Sequence, residues 1–193
     1  SNTFQDKLLN VINSNNEALI NWDSISMVLK TISDDKSLII YSWQIMNEDF
    51  MNYNVLIKKD NAIHQINTNT PISNIDEYDT MDKAIWPAGL VYKIQKIENE
   101  LGESYLLYNY NYGSNNSSYK FLDILSFNSS DELEFGAPVF KETGEEISNG
   151  LFRYVLKYNK EARIKLNYDE YWEQIIFDHL VETKSNYGAE NQN

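Results

Sequence analysis

The spacing of hydrophobic residues changes once along this chain, close to residue 25. Before that point, apolar residues recur at the i, i+4, i+7 and i+8 spacing of an amphipathic helix. These residues are Phe4, Leu8, Val11 and Ile12. A cluster of asparagines over residues 13–16 predicts the end of this helix, and a second short turn is predicted over residues 17–21. Residues 1–24 are therefore predicted to form a small helical cap.

After residue 25, hydrophobic and polar residues alternate with a period of two, which is typical of strands with one buried face. One such segment places four large residues on the same face: Ile39, Tyr41, Trp43 and Ile45. Asp60 and Asn61 lie where a tight hairpin turn is expected. The strand over residues 151–158 is predicted to expose Arg153 and Lys157. Other segments with this pattern are GLVYKIQKI, ESYLLYNYNY, SYKFLDILSF, RIKLNY and WEQIIFDHL.

These strands follow one another through short turns with no helix between them, which favours an antiparallel meander over βαβ units. We therefore predict a mainly β fold, with α+β character only at the N-terminus. The meander is expected to form a curved sheet, sandwich or barrel with a short N-terminal helical cap. One domain is predicted, with the cap at 1–24, the β body at 25–180 and a polar tail at 181–193. Residues 67–87 are predicted to form a long loop, and loops of that length tend to be functional or mobile.

Charge and composition restrict the classes of partner. The formal net charge is −13 at pH 7 and the lysines do not cluster, which disfavours nucleic acid and anionic membranes as partners. Cysteine is absent, so disulfides, thiolate catalysis and cysteine-ligated metals are excluded. No run of about 18 apolar residues exists, so no membrane span is predicted. The chain begins at Ser1, which a removed signal peptide, a lipoprotein anchor outside this sequence or a tag remnant would each explain.

The segment over residues 105–121, YLLYNYNYGSNNSSYKF, is rich in tyrosine and asparagine. In a strand, Tyr108, Tyr110 and Tyr112 project from one face, and Asn109 and Asn111 from the other. Three rings about 7 Å apart form a candidate platform for stacking on sugar rings, with the amides as partners for sugar hydroxyls. The alternative is an ordinary strand and turn, in which each ring packs and each hydroxyl reaches water. We favour this second interpretation.

Acidic residues in the long loop are candidate ligands for Ca²⁺, which prefers several oxygen ligands. They are Asp76, Glu77, Asp79 and Asp82. Their spacing is not that of an EF-hand, and acidic loops are usually solvated. No other cofactor is predicted. His64 and His179 each share a predicted strand face with apolar residues, which is more typical of structural histidines than of catalytic ones. No catalytic residue is assigned, although 29 acidic residues leave a hydrolase with two carboxylates open.

Four motifs follow one another in the C-terminal half: LLYNYNYGSNNSSYKFLDILSF, FGAPVF, RYVLKYNKEARIKLNYD and IIFDHL. Over residues 89–180 they resemble a family of exported Bacteroidetes proteins. The pattern of that family includes an I-D-x-L-x-F strand, an F-G-A-P-x-F turn and a closing F-D-H-L. The chain departs from it at YNYNYGSNN, where the family has a Gly-Trp-Asp-Gly-Asn-Asn type of turn. The resemblance implies a location in the periplasm or at the cell surface, and it implies no particular activity.

The same motifs also have structural explanations. Gly136 and Pro138 predict a corner in the chain, with Phe135 and Phe140 as its anchors. Asp178 is predicted to accept backbone N–H groups at the end of a strand.

Together these features predict a non-catalytic accessory or binding module of the bacterial envelope, with a glycan or an envelope protein as its partner. A lipid anchor would have to lie in a segment outside this sequence. One alternative is a carboxylate- or calcium-dependent hydrolase that uses the acids of residues 76–82. The other is a purely structural envelope protein.

Overall fold

A computed structural model describes residues 3–14, 16–46, 51–99, 102–113, 116–141 and 150–179. The protein is mainly β, with a single α-helix among the described residues, α1 (Thr3–Asn13), and sheets whose strands pair in antiparallel fashion. Two short 3₁₀ turns, Asn16–Leu19 and Trp22–Ser24, follow the helix. The predicted fold class is confirmed. The described strands do not close into a barrel. One buried cluster contains residues from both larger sheets, so these two sheets pack face to face as a sandwich.

The first sheet is a meander in the order β1-β2-β3-β4. Its strands are β1 (Leu29–Ile32), β2 (Leu38–Met46), β3 (Met51–Lys59) and β4 (Ala62–Thr68). The predicted hairpin turn at Asp60 and Asn61 is confirmed, because Lys59 pairs with Ala62 across it. Asp60 has a φ of 52°, which lies in the left-handed region that aspartate tolerates better than most residues.

The second sheet has six described strands. They are β5 (Met81–Asp82), β6 (Leu90–Asn99), β7 (Gly102–Asn111), β8 (Ser117–Phe127), β9 (Leu133–Phe135) and β10 (Arg153–Asn159). The order is β5-β9-β8-β7-β6, and β10 also pairs with β8. Since β10 pairs with residues 117–123 and β9 with residues 125–127, these two strands lie end to end along one edge of β8. The strand β5 lies inside the segment that the sequence predicts as a long loop.

The main core lies between the two sheets. Alternate residues of the central strands point into it from both sides, as the period of two requires. Buried examples are Ile40, Val55 and Ile57 from the first sheet and Val91, Leu107 and Phe121 from the second.

The outer face of each sheet is covered by another element. Leu8 and Ile12 of α1 pack against Tyr41 and Trp43 on the first sheet. The outer face of the second sheet carries Tyr108 and is covered by a separate hairpin. The strands of that hairpin are β11 (Leu166–Asp169) and β12 (Gln174–Phe177). The described part of the protein therefore has four layers: helix, sheet, sheet and hairpin.

The prediction that Arg153 is exposed is wrong, since its side chain is completely buried. Its Nε donates to Asp123 Oδ2 at 3.2 Å. Its Nη1 and Nη2 donate to the backbone carbonyls of Asp79 and Phe135, both at 2.9 Å. The carboxylate and two carbonyls replace the water that a buried guanidinium loses. Through Asp79, this side chain fastens the 67–87 segment to the second sheet.

Trp86, Phe135 and Gly136 lie beside the ion pair of Arg153 and Asp123. Trp86 donates its Nε1 to Asp123 Oδ2 at 2.9 Å and stacks on Phe135 with a centroid separation of 3.9 Å. Gly136 has a φ of 100°, and a Cβ there would lie 2.5 Å from Arg153 Nη2. The position therefore requires glycine. We call Trp86, Asp123, Phe135 and Arg153 the Asp123 cluster.

Glu17 connects the helical cap to the first sheet. Its carboxylate accepts hydrogen bonds from Lys30 Nζ at 2.5 Å, from Lys58 Nζ at 3.0 Å and from the Tyr41 hydroxyl. Burial of this carboxylate opposes ionisation, but these three hydrogen bonds outweigh the effect and lower the pKa of Glu17 to about 2.

We expect the variant Glu17→Gln to lose about 1–2 kcal/mol of unfolding free energy near neutral pH, after allowance for solvent screening. The pKa in the folded state lies below the ordinary value of 4.5. Ionised Glu17 therefore stabilises the protein above that pH, and the contribution is lost as the pH falls toward 2. Urea unfolding over this range should give a difference between the two proteins that shrinks on acidification. The variant Glu134→Gln, at an exposed glutamate, is the control; a difference independent of pH would contradict the prediction.

Asp178 fulfils its predicted role, because its Oδ2 accepts the backbone N–H of Lys165 at 2.7 Å beside β11. Leu180 of the same motif and the predicted tail at 181–193 lie outside the described residues. In the described part of the chain, no helix has both the length and the apolar character needed to cross a membrane.

Candidate functional site

A cavity of about 370 Å³ opens at the end of the sandwich where β3 and β8 begin and β4 and β7 end. Its described lining residues are Met51, Asn69, Thr70, Pro71, Ile72, Ser73, Asn111, Gly113 and Tyr119. We call it the neutral cavity. Its volume falls in the range of about 300–1,000 Å³ that is typical of small-molecule sites.

Asn111, the last residue of β7, is held in one orientation. Its Nδ2 donates to the Ala88 carbonyl at 2.8 Å, and its Oδ1 accepts the backbone N–H of Gly113 at 2.9 Å. A carboxamide has two N–H groups and an oxygen with two lone pairs, so each atom keeps one further hydrogen-bonding position. The side chain is therefore fixed before any ligand binds.

Gly113 and Tyr119 form another wall. Gly113 has a φ of 69°, and a Cβ at this position would lie 2.6 Å from Cε2 of the Tyr119 ring. Only glycine permits this conformation and this approach. The ring of Tyr119 thus lies directly against the turn after β7 and gives the cavity an apolar surface.

The loop after β4 supplies the polar wall. Ile72 is buried in the main core and holds the loop in place. The backbone N–H of Thr70 donates to Thr68 Oγ1 at 3.0 Å. Asn69 and Ser73 are exposed on either side of this anchor, so an amide and a hydroxyl are presented from a fixed backbone.

None of the described residues that line the neutral cavity is charged, although the chain has a net charge of −13. A charged ligand would find no counter-charge among the described lining residues, and the ammonium of Lys157 lies outside them, 5.9 Å from the Tyr119 ring centroid. Such a ligand would lose hydration without a direct ionic partner in the lining. Amides, hydroxyls and an aromatic ring suit a neutral, polar ligand. The described lining also contains no histidine or carboxylate, so it offers binding groups without a general acid or base.

The predicted tyrosine platform requires correction. Tyr108 is completely buried, and its hydroxyl donates to Gln95 Oε1 at 2.5 Å. It packs against Tyr92 with a centroid separation of 6.1 Å. Tyr110 is half-buried. Because the β11–β12 hairpin covers the outer face of the second sheet, Tyr108 presents no ring face to solvent and cannot form an exposed platform with its neighbours.

The other residues of that prediction have separate environments. Tyr112 lies beyond the end of β7, and Lys160 Nζ sits 4.0 Å from its ring centroid. Asn109 is completely buried, with its Nδ2 3.4 Å from the Leu107 carbonyl. Of the five predicted ligand-binding residues, Asn111 is the one found in the described lining of the neutral cavity.

The four candidate calcium ligands have structural roles in turns. Asp76, Asp79 and Asp82 each accept a backbone N–H from one or two residues later at 2.7–2.8 Å. The carbonyl of Glu77 accepts the backbone N–H of Phe152 at 2.8 Å. In the described ranges of the chain, no group of three or more histidine, aspartate or glutamate side chains is placed to hold a metal ion. The structure therefore does not assemble these acids into a calcium site.

The two histidines lie away from the described lining of the neutral cavity. His64 is half-buried, its ring is 5.5 Å from that of Phe127, and its Nε2 is 3.6 Å from Asp131 Oδ2. His179 is exposed, and its neighbour Asp178 uses its carboxylate for the backbone of Lys165. No acid–base pair is formed by Asp178 and His179 in the described structure.

Sequence reasoning missed the neutral cavity because its walls are distant in the chain. Residues 69–73 follow the first sheet, and Asn111, Gly113 and Tyr119 belong to the second. The available signals were the long loop over 67–87 and the Asn-rich turn after Tyr112. Neither signal indicates that the two segments meet.

Comparisons with protein-family models, curated proteins and solved structures give no match for this chain. Function must therefore be argued from the geometry of the cavity.

Proposed function

We propose that this protein is a non-catalytic binding module that holds a neutral glycan in the neutral cavity. The observation that carries the proposal is the composition of the described lining, which combines amides, hydroxyls and a tyrosine ring without any charge. Sugars present hydroxyl groups and apolar C–H faces on the same ring. Fixed polar groups beside an aromatic surface are complementary to both.

The size of the cavity supports a small ligand unit. At about 370 Å³ it lies near the lower end of the range for small-molecule sites. The fixed Asn111 side chain and the anchored 69–73 loop reduce the entropy lost on binding, because these groups are already ordered. A terminal sugar or a disaccharide unit is the ligand that we expect.

We also propose that the protein is exported to the periplasm or cell surface and belongs to the Bacteroidetes family that it resembles. The support is the motif resemblance together with the contacts of the motif residues. Three separate motifs meet at the Asp123 cluster: they supply its members Asp123, Phe135 and Arg153, and Gly136 lies against Arg153. A glycan ligand or an envelope protein partner fits that location. Fractionation of cells that express the native gene tests it; a purely cytoplasmic distribution would contradict it.

We expect the variant Ser73→Trp to lower affinity for a neutral glycan by at least about tenfold, which corresponds to about 1.4 kcal/mol. Ser73 is exposed at the rim, so an indole there occupies the cavity without replacing a core residue. The measurement is isothermal titration calorimetry with a panel of uncharged mono- and oligosaccharides, first on the native chain and then on the variant.

The matched control is Ser130→Trp, at an exposed serine in the turn between β8 and β9 that does not belong to the described lining. It should bind like the native chain. If no uncharged sugar binds the native chain at millimolar concentration, the glycan proposal fails and a structural role is favoured. If Ser73→Trp binds as well as Ser130→Trp, the ligand occupies another site.

A further inference from the structure

A second cavity, of about 420 Å³, lies between the β11–β12 hairpin and the outer face of the second sheet. The sheet contributes Tyr92 and Lys120 to it. The hairpin and the residue before it contribute Lys165, Asn167, Tyr168 and Asp169. We call it the basic cavity.

The charges around the basic cavity differ from those of the rest of the protein. Lys120 and Lys165 line it, and Lys93 Nζ lies 5.1 Å from the Tyr168 ring centroid. The nearby acids are engaged by the backbone. Asp169 Oδ1 accepts two N–H groups at 3.0 Å, and Asp178 accepts the N–H of Lys165. The described lining itself holds two lysines, Lys120 and Lys165, and one aspartate, Asp169, so it carries one surplus positive charge in a chain whose net charge is −13.

Lys120 is the central cation. Its Nζ donates to the Ile164 carbonyl at 2.7 Å and lies 5.5 Å from the Tyr92 ring centroid. An ammonium has three N–H donors, so this carbonyl uses one of them. Burial lowers the pKa of Lys120, while the charge of Asp178 opposes that effect. An anion in the cavity would offset the desolvation of this ammonium.

Two tyrosines give the basic cavity an aromatic lining. The Tyr92 hydroxyl donates to the Leu166 carbonyl at 2.7 Å, which fixes the ring against the hairpin. Tyr168 lies on the hairpin itself, and the Asn167 amide adds a neutral hydrogen-bonding group. A ligand that suits this lining has a ring, hydroxyl groups and a negative charge.

We propose that the basic cavity binds the carboxylate of a uronic acid, as a site separate from the neutral cavity. The single surplus positive charge favours a monoanion over a doubly charged phosphate. The proposal does not depend on the neutral cavity, because the two described linings share no residue.

The test is an NMR titration of the isotope-labelled chain with galacturonate and, in parallel, with galactose. These sugars differ in the group at C6, so galactose controls for the ring. We expect galacturonate to shift the backbone amides of Asn167 and Tyr168, and galactose to leave them unchanged. Binding should weaken when salt rises from low to high concentration, since ionic attraction is screened.

Two variants test the role of the lysines. Lys120→Met and Lys165→Met should each lower galacturonate affinity by at least about fivefold, the size of effect found when charged hydrogen-bonding partners are lost. Lys165 is exposed, so its variant should fold even if Lys120→Met does not. Lys157→Met, at an exposed lysine outside the described lining, is the control and should bind normally. Equal shifts with galactose, tighter binding of inorganic phosphate, or unchanged affinity in Lys165→Met would each overturn the proposal.

Discussion

Replacing Arg153 with alanine is expected to lower the free energy of unfolding by about 3–5 kcal/mol, the range observed when one partner of a buried ion pair is removed. The guanidinium is completely buried and makes hydrogen bonds to Asp123 and to two backbone carbonyls. Without it, a buried carboxylate loses its counter-charge and the carbonyls of Asp79 and Phe135 lose a donor. Since whole domains are stable by only about 5–15 kcal/mol, this loss is a large fraction of the total.

The free energy of unfolding that is lost in Arg153→Ala should depend on pH. Burial raises the pKa of Asp123 to about 6, against the opposing effects of Arg153, Trp86 and the Ile124 N–H. A carboxyl whose folded pKa lies above its ordinary value stabilises the fold most at low pH, and this contribution falls as the pH rises through the folded pKa. Removal of the guanidinium raises that pKa further. The variant should therefore be more destabilised relative to the native chain above pH 7 than near about pH 5.

Urea unfolding followed by circular dichroism is the measurement for Arg153→Ala. The matched control is Arg163→Ala, which removes an exposed arginine and should change stability by no more than about 0.5 kcal/mol. Adding Asp123→Asn to Arg153→Ala should restore part of the loss, because the uncompensated charge is then absent. A loss below about 1 kcal/mol in the single variant would contradict the burial of this pair.

Replacing Trp86 with alanine is expected to cost about 3–5 kcal/mol, as for other buried tryptophans. The indole is completely buried, stacks on Phe135 and donates its N–H to Asp123. The substitution leaves a cavity between the 67–87 segment and the second sheet, and it removes a hydrogen bond from a buried carboxylate. The cavity and the lost hydrogen bond both lower the free energy of unfolding.

A comparison of Trp86→Ala with Trp86→Phe separates these effects. Phenylalanine retains a ring that can stack on Phe135 but has no N–H, so its cost should be about 1–3 kcal/mol, because the carboxylate of Asp123 loses one charged hydrogen bond and keeps the one from Arg153. Trp172→Ala, at the exposed tip of the β11–β12 hairpin, is the matched control and should change stability by less than about 0.5 kcal/mol. Calorimetric melting of the three variants ranks their losses of stability. Equal losses for the two Trp86 variants would contradict a packing role for the indole ring.

Local patterns predicted much of the fold. The amphipathic spacing around Leu8 and Ile12 indicated α1, and the period of two indicated the long strands. The hairpin turn at Asp60 and Asn61 was readable because turn chemistry is local. The strands β5 and β9 have two and three residues, which is too short for a period of two to be recognised.

The burial of Arg153 could not be predicted from its own strand. Alternation places it beside exposed Lys157 on one face, and charged residues at such positions usually meet water. Its burial depends on Asp123 in β8 and on carbonyls from two other segments, and these meet only in the folded protein. Tyr108 shows the same limit, because the hairpin that covers it lies about sixty residues later in the chain.

Only part of the candidate site was predictable, because its walls also come from segments that meet only in the folded protein. Asn111 was named as a candidate from the local tyrosine and asparagine pattern, and it lies in the described lining of the neutral cavity. The loop that faces it, over residues 69–73, belongs to the segment after the first sheet. A cavity between elements that are distant in sequence leaves no local pattern in either of them.

The most direct test of glycan binding is an NMR titration of the isotope-labelled chain with the panel of uncharged sugars, followed at the backbone amides of Thr70, Ser73, Asn111 and Gly113. Binding in the neutral cavity predicts that at least one sugar shifts these four signals together, and that the shifts saturate with a single dissociation constant. If every sugar leaves these amides unchanged, or if the shifts appear only elsewhere in the protein, the neutral cavity is not a glycan-binding site.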